Sequence, residues 1–80
     1  MMEIERLRER VIELKQAKNS YIANQRLVQM QARKARNEPL EVTRGYAKSM
    51  IHWLDKEREV NEELKQVTLQ LRKMERVING

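Results

Sequence analysis

The residues best equipped for chemistry are Lys18, Tyr21 and Glu57, with His52 as the lone imidazole. An ammonium and a carboxylate held together out of water shift each other's proton affinity, and such pairs mark many active sites. In a helical bundle the same pairing more often sets register and partner number, and that is the role expected of a Lys18–Glu57 pair here. His52 has no cysteine and no second histidine to work with, so it cannot assemble a zinc site; a surface position is expected. The chain shows no Ser–His–acid set, no glycine-rich phosphate loop and no carboxylate metal cluster. A small all-helical enzyme with a polar bundle centre would also need a third substantial helix. The expectation is therefore no catalytic residue, no cofactor, no metal and no small-molecule substrate: the chain reads as a non-enzyme.

Binding chemistry is better represented. The net charge is +5, and it is unevenly spread. Residues 1–13 carry three Arg and four Glu, and residues 55–80 carry six basic and six acidic side chains. Residues 14–54 carry eight Lys or Arg against Glu38 and Glu41 alone. Arg26, Arg33, Lys34, Arg36, Arg44 and Lys48 fall within this zone. Positive charge gathered in one region attracts an acidic protein surface or a nucleic-acid backbone, although a solvated face is the plainer reading of any such cluster. Tyr21, Tyr46 and Trp53 could stack on bases as aromatics do in single-strand binders. Their spacing places them in a helical seam, so core packing is expected of all three.

These residues must be positioned by helices. The chain has 80 residues with two Gly, one Pro and 36% charged side chains, the composition of long helices or a coiled coil. No stretch alternates apolar and polar residues as a strand would. In the second half, Met50, Trp53, Val60, Leu64, Val67, Leu71, Met74 and Ile78 recur at steps of three and four, with Glu57 holding the one polar position. In the first half the same spacing runs through Ile4, Leu7, Val11, Leu14, Lys18, Tyr21, Gln25, Val28, Ala32 and Ala35. Each is a heptad seam, built to lie along another helix.

Asn37-Glu38-Pro39 is the only turn signal. Proline disfavours a helical residue before it and suits the first position of a new helix. The chain thus predicts an all-α fold: a two-helix antiparallel coiled-coil hairpin, helices at about 2–36 and 39–78, forming one domain over 1–80. A start delayed to an N-cap at Thr43 is an alternative. If facing residues have numbers summing to 78, every first-helix seam residue meets one of the second helix, whose seam then begins with Thr43 and Tyr46 opposite Ala35 and Ala32, and the midpoint falls on Pro39. In that register Lys18, Tyr21, Gln25 and Glu57 form a polar layer in mid-seam. The hairpin would be roughly 50–55 Å long.

A second apolar strip lies beside the seam: Leu40, Ala47, Ile51 and Leu54 on the second helix, continued by Ala23, Leu27 and Met30 on the back of the first. A two-helix hairpin covers such residues poorly. Either two hairpins dimerise into a four-helix bundle, or the strip receives a different protein. The expected function is a small binding protein, acting as regulator, inhibitor or assembly adaptor. It would dock on an acidic protein surface through the basic tip and the apolar strip; the alternative is a nucleic-acid-binding hairpin. The absence of cysteine, of a signal-peptide core and of any apolar run near the ~18 residues that span a bilayer predicts a cytoplasmic protein with no membrane partner.

Overall fold

The computed structural model describes residues 2–79, with side-chain environments for residues 3–78. It contains two helices, α1 (Met2–Lys34) and α2 (Leu40–Asn79), and no strand among the described residues. They pack along one another as a hairpin with principal extents of 61 × 16 × 14 Å. The length exceeds the expected 50–55 Å because α2 runs for 40 residues against 33 in α1. Among the described residues no helix is long and apolar enough to cross a membrane.

Capping chemistry fits the helix ends. Glu3 and Glu5 stand in the first turn of α1, and Arg33 and Lys34 in its last, each complementing the helix dipole. The α1 helix stops two residues short of the expected boundary. Ala35 N still donates to Gln31 O at 3.0 Å, but Glu38 N then turns back to Ala35 O at 3.0 Å. Pro39 begins the next helix as its N-cap rather than its first residue: its carbonyl accepts from Val42 N at 3.0 Å and Thr43 N at 3.4 Å. The delayed start at Thr43 does not occur. Gly45 is carried inside α2 without a break.

The buried apolar residues are Ile4, Leu14, Val28, Ala35 and Val60, and every one is a seam residue. The other seam residues are half-buried except Thr43 and Ile78, which are exposed. Ile78 stands at the terminal end of α2. The core is a thin line rather than a mass, since no large side chain among the described residues is fully buried. Each helix sheds only a narrow stripe from water, which makes burial of that stripe the main source of stability.

Candidate binding face

Two ion pairs between the helices define the two sides of the hairpin. Arg8 meets Glu75 at 3.6 Å; each directly follows a seam residue, Leu7 and Met74. Arg10 Nη2 donates to Glu63 Oε1 at 2.8 Å; each directly precedes a seam residue, Val11 and Leu64. Adjacent helical residues are rotated by about 100°. Residues that follow a seam position therefore share the Arg8–Glu75 side, and those that precede one share the Arg10–Glu63 side.

The two sides differ sharply in charge. The Arg10–Glu63 side carries five Lys or Arg and four Glu. Two of its cations are tied locally: Arg10 also meets Glu13 at 3.1 Å, and Lys56 meets Glu59 at 3.8 Å. Hydrogen bonds to Glu63 and then Glu13 raise the Arg10 pKa above its already high value. Because the folded value is the higher one, this contribution is complete at neutral pH and fades only at extreme alkalinity.

The Arg8–Glu75 side carries nine Lys or Arg and only two acids, Glu5 and Glu75. Its turn-proximal half presents Arg26, Arg33, Arg36 and Arg44, all exposed and none in an ion pair among the described residues. Lys15, Arg58, Lys65 and Arg72 continue the face towards the termini; of these Arg58 is held by Asp55. The expected tip cluster therefore divides. Four of its arginines gather on one face. Lys34 lies on the other side, lining a groove with Gln31, Val42 and Tyr46, and Lys48, two residues from Tyr46 and Met50 alike, lies on the back of α2.

The apolar strip divides in the same way. Leu40, Ala47, Ile51 and Leu54 stand on the cation-rich face, where Leu40 is 64% exposed, Ile51 58% and Leu54 46%. Leu27 precedes Val28 and so turns to the opposite side, while Ala23 and Met30 occupy the back of α1; all three are exposed. The two groups cannot meet a single flat partner together. The sequence reading set Ala23, Leu27 and Met30 on the back of the first helix yet assigned both groups to one strip. It also passed over Ile22, which follows Tyr21 and is half-buried on the cation-rich face.

The polar layer forms with different partners from those expected. Gln25 Nε2 donates to Glu57 Oε1 at 2.8 Å and to Trp53 O at 3.4 Å. No ion pair joins Lys18 to Glu57, and this expectation is corrected. Side chains lean towards their own helix N-terminus. In antiparallel helices Lys18 leans to the terminal end and Glu57 to the turn end, so they diverge, whereas Gln25 and Glu57 converge. Tyr21 rests its ring against Trp53 with centroids 5.9 Å apart, half-buried as a seam residue should be, and Tyr46 is half-buried too. His52 is exposed and touches the Trp53 ring edge-on, with centroids 4.8 Å apart. No group of three or more metal-ligating side chains occurs among the described residues. No protein-family model, curated protein or solved structure matches this chain.

Proposed function

We propose that the hairpin is a non-enzymatic binding protein that docks on an acidic protein surface, as a regulator, inhibitor or assembly adaptor. One observation carries this reading. Arg26, Arg33, Arg36 and Arg44 stand exposed and without carboxylate partners around exposed Leu40, Ile51 and Leu54. Cations draw an acidic surface in and fix its orientation, and burial of the leucines and isoleucine supplies the lasting affinity. The lack of cysteine supports a cytoplasmic setting.

The test is capture from a lysate of the source cells, with and without nuclease. The wild-type chain should retain a protein after nuclease treatment, and high salt should release it. Ile51→Asp with Leu54→Asp should abolish that capture while circular dichroism stays helical. Capture that nuclease removes would overturn the reading.

A nucleic-acid reading keeps one observation in its favour: the cations continue along the rod through Arg58, Lys65 and Arg72, well beyond the apolar strip. It requires a duplex or single strand to bind with a steep loss of affinity as salt rises. Exposed Leu40 and Ile51 have no role in phosphate contact, and for that reason the protein reading is preferred.

The seam spacing supports antiparallel coiled-coil packing of α1 on α2. Self-association fits the remaining surfaces of α1, at Ala23 and Met30 on its back and Leu27 beside them. Two copies apposed on the cation-rich face would set nine Lys or Arg against nine.

A further inference from the structure

We infer, resting on the proposed docking to an acidic protein, that the occupant of the cation-rich face is a single acidic amphipathic α-helix. It lies lengthwise between α1 and α2 near the turn and completes a three-helix unit.

The apolar residues on this face are linear. Leu40, Ala47 and Leu54 follow one another at seven-residue steps along α2, with Ile51 set one turn of helix from both Ala47 and Leu54. This row spans roughly 21 Å at 1.5 Å per residue. Half-buried Ile22 stands across from Leu54 on α1, near the level of Lys56, and extends the apolar floor to the second helix. A narrow straight row of this kind matches the apolar stripe of a helix of four turns or so.

The shoulders are cationic on both sides. Arg26 and Arg33 rise from α1, Arg36 from the turn that follows it, and Arg44 from α2. A helix with leucines on one stripe and carboxylates flanking it would meet apolar floor and guanidinium shoulders at once. An extended strand is a poorer occupant, because paired helices offer no free backbone groups for it to join. Nucleic acid would leave the apolar row wet. A second copy of the chain on this face would bring like charge to like.

The probe is a labelled peptide of about 20 residues, with leucines at the first and fourth positions of each seven-residue repeat and glutamates around them. A scrambled peptide of equal composition, a DNA duplex and anionic phosphatidylserine vesicles serve as comparisons, all read by fluorescence anisotropy or co-sedimentation against the full chain. The patterned peptide should bind at least about tenfold more tightly than the scrambled one, gain helicity on binding, and weaken as salt rises. Ile51→Asp with Leu54→Asp should remove that binding; Leu27→Asp with Met30→Asp, on the other surfaces, should leave it unchanged.

Equal binding of the scrambled peptide would overturn the helical occupant and leave the acidic-surface proposal standing. Loss of binding in the Leu27→Asp, Met30→Asp variant would place the helix on the wrong face. If neither peptide binds while duplex or vesicles do, and the Ile51→Asp, Leu54→Asp variant still binds them, this inference and the function it rests on both fail.

Discussion

The Gln25–Glu57 hydrogen bond makes a sharp energetic prediction, because seam spacing alone pointed to Lys18 as the partner. The amide and carboxylate meet at 2.8 Å and both residues are half-buried. A hydrogen bond to a charged group is worth about 1.5–3 kcal/mol net when well buried, and partial exposure reduces this one to about 1 kcal/mol. Gln25→Leu keeps the bulk of the side chain and strips the carboxylate of its donor, so it should cost about 1 kcal/mol. In a chain of this size that lowers Tm by about 4–8 °C. The double change Gln25→Leu with Glu57→Leu replaces both polar partners by apolar ones, which should be nearly neutral or stabilising. A double-mutant cycle, measured by urea unfolding with circular dichroism at several protein concentrations, should return a Gln25–Glu57 coupling of about 1 kcal/mol. The parallel cycle for Lys18→Leu and Glu57→Leu should return a coupling near zero. A Lys18–Glu57 coupling equal to or larger than the Gln25–Glu57 one would refute the divergence of antiparallel side chains invoked here.

Other outcomes follow from the same geometry. Leu14→Ala empties one of the few buried positions and should cost about 2–5 kcal/mol, enough to leave the hairpin largely unfolded by chemical denaturation in mild urea. Gly45→Ala should stabilise by about 0.5–1 kcal/mol, since Gly45 lies inside α2 and an added Cβ meets nothing within 4 Å; a lower Tm would contradict that. Ile51→Asp alone should leave helicity and Tm nearly unchanged, because the side chain is mostly in solvent; a large loss of ellipticity would show that it packs within the hairpin. Thermal stability of the Arg10→Gln variant and of the wild type should show the same dependence on pH between neutral and moderately alkaline conditions, because the raised Arg10 pKa keeps that pair intact throughout.

The hairpin was legible because two independent signals coincide at one place. The seam register centres on Pro39, and Pro39 is where the helical backbone must be interrupted. Burial of Ile4, Leu14, Val28, Ala35 and Val60 follows from the three-and-four spacing alone. The binding face was legible only in part. Arg26, Arg33, Arg36 and Arg44 were named, but grouping them with Lys34 and Lys48 ignored rotation about the helix axis, which separates residues a few positions apart. Leu27 and Met30 were likewise joined to Ile51 and Leu54, which stand on another side of the hairpin. The Lys18–Glu57 pairing failed on a finer point: the two stand one layer apart and lean away from each other, whereas Gln25 and Glu57 lean together. Helix ends shifted by a residue or two because the turn is closed by backbone hydrogen bonds at Ala35 and Pro39, which no side-chain pattern announces.

The 61 × 16 × 14 Å outline has a hydrodynamic consequence. A globular chain of this length would have a radius of gyration of about 12 Å, whereas the hairpin has 18.1 Å. So slender a particle diffuses slowly and elutes early from a gel-filtration column, where a single chain calibrated against spherical standards would pass for an assembly of two. Only a mass read independently of shape, by light scattering or sedimentation equilibrium, separates one hairpin from a pair.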